Sequence, residues 1–347
     1  MTVQERKGFK MGETGLWNHC SSRQCVEMIL SMKLLGYASL TEEQELSVLY
    51  ELSNHASRHY REAAIPKRTG GVRHLMVPDS TLKAVQRRIL RNVLSGLELS
   101  EQAYAYRKGV GIRENAAVHT GQEKILKLDI HDFFGSITSS SVYGLAFPGT
   151  VFPPQVRGLL TSLCCLRGRL PQGSPASPAI SNLVMRPFDE HMGLWCRERN
   201  IRYSRYCDDM TFSGSFDAGE VIRKVSGFLS ERGMRLNWKK TGVYGKNCRQ
   251  EVTGLTVNEK VQLPKELRRQ LRMECYYCRR FGTESHMERL GLAESESEEH
   301  FLMRLLGRLE YALSVSPGAK EFEQEREYFR EQLKALRERR AQKNQKG

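Results

Sequence analysis

Arg202-Tyr203-Ser204-Arg205-Tyr206-Cys207-Asp208-Asp209-Met210-Thr211-Phe212-Ser213 reads as a strand, an acidic turn and a second strand. Residues that favour extended backbone flank two adjacent acids. Two carboxylates about 4 Å apart repel by about 4 kcal/mol at an effective dielectric near 20, so a hairpin tip that holds them unpaired is costly. A divalent cation removes that cost, and carboxylate oxygens are the ligands Mg²⁺ prefers. Taken alone, the pair has a plainer reading as a solvated turn, since acidic turns are common.

Upstream, Ile125 to Ile130 alternates as a strand does, with Leu126, Leu128 and Ile130 on one side and Asp129 on the other. Asp129 closes that strand in Leu128-Asp129-Ile130-His131-Asp132-Phe133-Phe134. Brought beside the acidic hairpin, it completes a set of carboxylates able to hold two metal ions. Between the two lies Leu170-Pro171-Gln172-Gly173-Ser174-Pro175-Ala176-Ser177-Pro178. Ser177 and Pro178 are the expected N-cap and first turn of a helix carrying Ile180, Leu183, Val184 and Phe188, which Pro187 is expected to kink.

Further upstream, Ile65-Pro66-Lys67, Gly70-Gly71 and Arg73 to Val77 predict two short strands around a glycine turn. Residues 1–60 read as mostly helical, and a helix with Leu82, Val85, Ile89, Val93 and Leu97 on one face follows the hairpin. Downstream, a strand pair is expected over Glu251 to Leu263, closed by Asn258 and Glu259. Beyond Pro264 the pattern is helical and charged, ending in a basic tail, Arg337 to Lys346, expected to fray.

The 347 residues carry a formal net charge of +14, an excess that favours a polyanionic partner because neutralised phosphates release counterions. There is no run of about 18 apolar residues, so no membrane span is expected, and Met1 to Lys10 lacks the apolar core of a signal peptide. The nine cysteines form no framework, which fits the reducing cytoplasm. The closest spacings, Cys275-x-x-Cys278 and Cys20-x4-Cys25, lack the second ligand pair that zinc needs, so free thiols are expected.

Four of these segments, in this order, resemble the reverse transcriptase family. Tyr206-Cys207-Asp208-Asp209 is similar to its Y-x-D-D box, and Asp129 with Phe133-Phe134 to its first acidic motif. Leu170 to Pro178 resembles its P-Q-G…S-P segment, and Ile65-Pro66-Lys67 with Gly71 and Arg73 its fingers motif. The resemblance implies an RNA-directed DNA polymerase in which Asp129, Asp208 and Asp209, with the backbone carbonyl of Ile130, bind two Mg²⁺ ions, Mn²⁺ being a possible substitute. It implies that Lys67 and Arg73 grip the triphosphate of an incoming dNTP, as charge-assisted donors can, and that Gln172 lines the nucleotide pocket. Phe134 takes the position where the family sets a bulky ring against the sugar, excluding a 2′-hydroxyl, whereas Phe133 reads as core and Asp132 as a local cap or pair. Lys240, in Leu236-Asn237-Trp238-Lys239-Lys240-Thr241, resembles the lysine that closes the palm near the pyrophosphate; a solvated Lys239-Lys240 charge pair is the alternative.

Two shorter segments resemble signatures of the retron members. Asn115-Ala116-Ala117-Val118-His119 is similar to N-A-x-x-H, and Val252-Thr253-Gly254 to V-T-G. A plainer reading makes Asn115 and His119 a helix-face pair and Val252 to Gly254 a strand end. The retron resemblance implies a cognate structured noncoding RNA as template and primer, synthesis from a guanosine 2′-hydroxyl, branched multicopy single-stranded DNA, and an effector protein in defence against phage. Asn115, His119, Val252, Thr253 and Gly254, with Lys265, Arg268, Arg269 and Arg272 on the basic helix, are the expected RNA contacts; Tyr276, Tyr277 and Phe281 are either nucleotide contacts or helix core. Cys207 departs from the alanine more usual in retron enzymes, which raises the question of redox sensitivity.

The expected architecture is an α/β (α+β) right hand, with N-terminal helices and fingers over 1–125, a catalytic palm over 126–245 and an α-helical thumb and RNA-binding region over 246–347. That length is expected to leave no room for a nuclease or protease domain. Related bacterial enzymes (intron, diversity-generating or abortive-infection type) and a non-catalytic RNA-binding scaffold are the competing readings. Three retained, mutually repelling acids argue against the scaffold.

Overall fold

The computed structural model describes residues 20–36, 40–67 and 70–344; the start of the expected N-terminal helical region, 1–19, and the end of the basic tail, 345–347, lie outside them. In chain order the elements are α1 (Ser22–Ser31), α2 (Glu42–Asn54), β1 (Tyr60–Pro66), β2 (Val72–Pro78), α3 (Ser80–Arg88), α4 (Ile112–Ala117), β3 (Lys124–Asp129), α5 (Phe133–Ser136), α6 (Ser139–Ser141), α7 (Pro154–Cys164) and α8 (Ser177–Arg197). Then come β4 (Arg202–Tyr206), β5 (Asp209–Gly214), α9 (Ala218–Ser230), β6 (Gly242–Gly245), β7 (Glu251–Val252), β8 (Leu255–Thr256), α10 (Lys265–Phe281), α11 (Thr283–Arg289), α12 (Glu298–Val315) and α13 (Lys320–Asn344). Contacts group them into two compact units, one of residues up to 109 with 126–212 and 216–243, the other of 110–125, 213–215 and 244 onward.

In the first unit, β1 and β2 pair antiparallel with Ile65 opposite Arg73 and Pro66 opposite Val72, and Gly70 and Gly71 supply φ of +87° and +81° at the turn. The expected hairpin is therefore present. The expected helix through Leu97 is not continuous: α3 gives way to a π-helical turn over Ile89–Val93 and a 3₁₀ turn over Leu94–Gly96. Strand order in the main sheet is β4-β5-β3-β6. Alternation along β3 and β5 sends Leu126, Leu128, Met210 and Phe212 into the core, with Ile130 just past the end of β3. There they meet Ile180, Leu183 and Phe188 of α8 and Val221, Val225 and Leu229 of α9. Fully burying each such side chain contributes about 1.5–3 kcal/mol. The opposite parity, Lys127 and Asp129 on β3 and Asp209 on β5, is left for polar work.

Ser177 is not the N-cap of α8. Ala176 holds that place, and the Ser177 hydroxyl donates instead to the Pro171 carbonyl at 2.7 Å, tying the helix to the Pro-Gln-Gly segment. Helical structure continues through Pro187. The same segment docks on the hairpin and on α3: the Met76 N–H donates to the Gln172 carbonyl at 2.8 Å, and the Ser174 hydroxyl donates to Gln86 Oε1 of α3 at 2.8 Å. Gly173 permits that approach. Its φ is +125°, and a Cβ there would lie 2.7 Å from the Met76 carbonyl oxygen. Gly173→Ala is therefore expected to destabilise the protein by about 2 kcal/mol, lowering the melting temperature by about 4–8 °C. Gly158→Ala, inside α7 with nothing within 4 Å of its added Cβ, is expected to raise stability by up to about 1 kcal/mol. Thermal melts of the two variants check the contrast.

In the second unit, β7 and β8 form a hairpin closed by Thr253 and Gly254 at φ of +48° and +79°, both left-handed as a two-residue type I′ turn demands. The turn expected at Asn258 and Glu259 is a further reversal, bridged by Thr256 and Gln262. On α10, Leu271, Cys275 and Cys278 face the core with Phe301, Leu305 and Leu309 of α12 and Phe322 and Phe329 of α13. No helix among the described residues is long and apolar enough to cross a membrane.

Candidate active site

Asp129 closes β3 and Asp209 opens β5, and these strands are neighbours. Carboxylate oxygens of Asp129, Asp208 and Asp209 all lie within 4.8 Å of one another, which requires the two strands to run antiparallel. Asp129 is buried at 2 % exposure, Asp208 is half-buried and Asp209 exposed. Although the residue as a whole is exposed, neighbouring groups crowd its carboxyl away from water; that desolvation first, then the charges of Asp208 and Asp129, push the Asp209 carboxyl up to about 6, with Lys127 and Lys240 working the other way. Three acids crowded so that one resists ionisation are a donor set that a divalent cation satisfies.

The backbone around them is pinned. The Ile130 N–H donates to the Asp208 carbonyl at 3.1 Å, while the His131 and Asn237 N–H groups donate to the Arg235 and Asp129 carbonyls on the other side. That antiparallel bridge between Ile130 and Leu236 leaves the Ile130 carbonyl on the edge facing the acidic turn, since a residue's own N–H and C=O point the same way in a strand. Cys207 makes the turn at φ +61°, a strained choice for a residue with a side chain.

Asn237 was not singled out by its sequence. Its Nδ2 donates to Asp129 Oδ1 at 2.9 Å, and Lys240 Nζ donates to Asp129 Oδ2 at 2.6 Å. A 3₁₀ turn over Trp238–Lys240 explains the grip: residues three apart eclipse in that geometry, so Asn237 and Lys240 reach one carboxylate together. Burial alone would lower Lys240, but its bond to Asp129 and the charges of all three aspartates outweigh it, leaving the ammonium more firmly protonated than usual. The clue available in the sequence was the i, i+3 spacing of an amide and a lysine after a strand.

The structure sets Phe133 in the core and leaves Phe134 half-buried beside it, ring centroids 5.4 Å apart. Asp132 adopts φ +45° and makes no capping bond to α5. Its carboxylate lies instead over Gly135, where a Cβ would come within 2.4 Å. Lys67 and Arg73 are exposed, and the register places them on one face of the β1–β2 hairpin. Gln172 is half-buried. For Cys207, burial and then the Asp208 charge push the thiol up to about 12, so the thiolate that oxidants attack is scarce at neutral pH.

Three of the expected RNA contacts have enclosed side chains. Asn115, His119 and Val252 are buried at 1 %, 0 % and 0 % exposure, and their side chains build the second unit. His119 Nδ1 hydrogen-bonds the Ser213 hydroxyl at 2.7 Å, and the Thr253 hydroxyl donates to the Ile112 carbonyl of α4 at 3.1 Å. The two short signatures, far apart in sequence, thus lie against each other. Lys265 and Arg269 are exposed, Arg268 is half-buried, and Arg272 is forked onto Glu321 of α13 at 2.6 and 3.0 Å.

The Asp209 shift has a measurable consequence. A carboxyl whose folded value exceeds the unfolded one binds a proton on folding, so metal-free stability falls as pH rises from about 4 to about 6. The penalty is complete above that window and absent below it. Because Asp209 is solvent-exposed, screening reduces it to about 1 kcal/mol. Asp209→Asn is expected to melt about 2–4 °C higher than wild type at pH 7.5 without metal, with the difference vanishing near pH 4. Equal melting temperatures at both pH values would count against the crowding.

Residues 65–258 match the reverse transcriptase (RNA-dependent DNA polymerase) family model. The retron Mx65 reverse transcriptase of Myxococcus xanthus is 35 % identical over 279 residues, covering 75 % of this chain and 62 % of that protein. The retron Ec86 enzyme of Escherichia coli is 33 % identical over 59 % of this chain and 65 % of its own length, and the Ec83 enzyme of the same organism 34 % identical over 63 % and 75 %. The chain thus spans just under two thirds of the first two of these relatives. Among solved structures, telomerase from Candida tropicalis aligns at 12 % identity over 65 % of this chain and 61 % of that one, with a TM-score of 0.43, too slight a likeness to bear on function. By its family match and its retron relatives, the chain belongs to the reverse transcriptase family, among the bacterial retron enzymes.

Proposed function

We propose that this protein is the RNA-directed DNA polymerase of a retron, copying a cognate structured noncoding RNA in the bacterial cytoplasm into branched single-stranded DNA that starts from a guanosine 2′-hydroxyl. The observation that carries the reading is the carboxylate cluster of Asp129, Asp208 and Asp209 at the junction of two central strands. Those three residues, with the Ile130 carbonyl, would hold two Mg²⁺ ions, or Mn²⁺ in their place. Bound there, the ions lower the cost of ionising the attacking hydroxyl and of charge on the departing pyrophosphate.

The protein's own groups do the rest. Asn237 orients Asp129, and Lys240, protonated beside it, would donate to the leaving phosphate. Lys67 and Arg73 grip the triphosphate of the dNTP, Gln172 lines its pocket, and Phe134 stands against its sugar. The names fingers, palm and thumb suit 1–125, 126–245 and 246–347 in this reading. Lys265, Arg268 and Arg269, with the turn of half-buried Thr253 and exposed Gly254, are the RNA contacts it favours, and an effector protein acting against phage completes the system.

The test is to express the chain with its upstream genomic region and look for DNA that survives RNase and carries a branch. A discrete product that requires Asp208 and Asp209 establishes the reading. Primer extension on generic RNA with no branched product keeps the polymerase and removes the retron chemistry.

A further inference from the structure

Arg205 has no exposed side-chain surface, and neither does its partner Asp189 on α8. Every nitrogen of the guanidinium donates. Nε and Nη2 fork onto Asp189 Oδ1 and Oδ2 at 2.8 and 2.6 Å. Nη2 also reaches Asn182 Oδ1 at 3.2 Å, and Nη1 donates to the carbonyl of Cys207 at 2.9 Å. The partners are anchored in turn: the Tyr203 hydroxyl donates to Asp189 Oδ1 at 2.8 Å, and Asn182 Nδ2 donates to the Ala105 carbonyl at 2.8 Å.

A buried ion pair is weak grounds for stability, because stripping both charges of water offsets their attraction. The bond to Cys207 gives this one another use. Cys207 is held at φ +61°, a conformation that persists in a non-glycine residue only when its surroundings over-determine it. Its carbonyl belongs to the peptide plane that leads into Asp208. The plane that leads out of Asp208 is fixed independently by the Ile130 N–H on the Asp208 carbonyl. Both planes flanking the first acid of the pair are thereby clamped, one by the backbone of Ile130 just past β3 and one by a side chain.

We propose that Arg205 is a positioning residue for the metal site, holding the strained Cys207 turn through its carbonyl so that Asp208 and Asp209 face Asp129; this rests on the metal-binding reading given above. Lysine at 205 keeps the charge against Asp189 but loses the planar fork that serves Asp189, Asn182 and Cys207 at once. Glycine at 207 removes the strain that the fork opposes.

The experiment is Mn²⁺ titration of the full chain by electron paramagnetic resonance, without nucleic acid, alongside thermal melts. Arg205→Lys is expected to weaken Mn²⁺ binding about tenfold, the lower end of what second-layer changes cost at metal sites. Adding Cys207→Gly is expected to bring the loss back to about threefold or less, by that same scale. Where Arg205→Lys melts too low to assay, Arg205→Met with Asp189→Met replaces the pair with apolar side chains that tend to keep a fold, and it is expected to show the same loss and the same rescue. Folded variants that bind Mn²⁺ as wild type does would overturn the proposal, as would a loss that Cys207→Gly does not diminish. Wild type that binds no Mn²⁺ overturns the metal-site reading itself, an outcome distinguishable from failure of the Arg205 role alone.

Discussion

Asp208→Ala with Asp209→Ala extends no primer on any template, falling at least about 10³-fold below wild type, which corresponds to about 4 kcal/mol of lost transition-state stabilisation. The expectation follows from the division of labour at the site. Asp129 is already engaged by Asn237 at one oxygen and Lys240 at the other, so on its own it is too few donors for a cation, and the acidic turn supplies the carboxylates that complete the set. Removing them leaves one carboxylate neutralised by a lysine, a closed pair with no call for metal. The same variant is expected to fold, because Asp208 and Asp209 repel each other and Asp209 resists ionisation. Primer extension with a denaturation curve on the same preparation checks both halves. A folded double variant with more than a tenth of wild-type activity would remove these carboxylates from the chemistry, and with them the polymerase reading of the cluster.

How much of this the sequence discloses depends on whether the signal is local. The β1–β2 hairpin is legible because Gly70 and Gly71 must turn and β-favouring residues flank them. The strand ending at Asp129 is legible because Leu126, Leu128 and Ile130 alternate with Lys127 and Asp129. Asp208 and Asp209 declare themselves by adjacency, where repulsion demands a reason. Arg205 and Asp189 do not: each looks like a solvated surface charge, and only the packing of α8 on β4 brings them to 2.6 Å. Asn237 is hidden for a related reason, since its target lies 108 positions away. The Asn115…His119 and Val252-Thr253-Gly254 segments show the opposite failure. They stand out as signatures, but the I′ turn and the buried His119–Ser213 bond account for most of their residues by folding alone. A motif's visibility therefore does not say whether its side chains face a ligand or hold the frame.

Phe134→Ala is expected to cut discrimination against ribonucleotides by about 100-fold, the scale on which a shaped apolar pocket can reject one added hydroxyl. Two neighbouring rings on α5 invite the test because the structure separates their duties. Phe133 is 4 % exposed and belongs to the core, so Phe133→Ala is expected to cost about 3–5 kcal/mol of stability. Phe134 is only half-buried, leans on Phe133 at 58° and stands on the turn that follows Asp129, where Asp132 at φ +45° redirects the chain. A ring supported from behind and open in front is stiff enough to exclude a substituent, whereas a freely mobile one would swing aside. The measurement is the ratio of kcat/KM for dNTP over the matching rNTP. It should fall for Phe134→Ala with dNTP use little changed, and hold for Phe134→Tyr, which keeps the ring and adds only a para hydroxyl. An unchanged ratio in Phe134→Ala would return Phe134 to the core beside its neighbour and leave sugar selection to another part of the pocket.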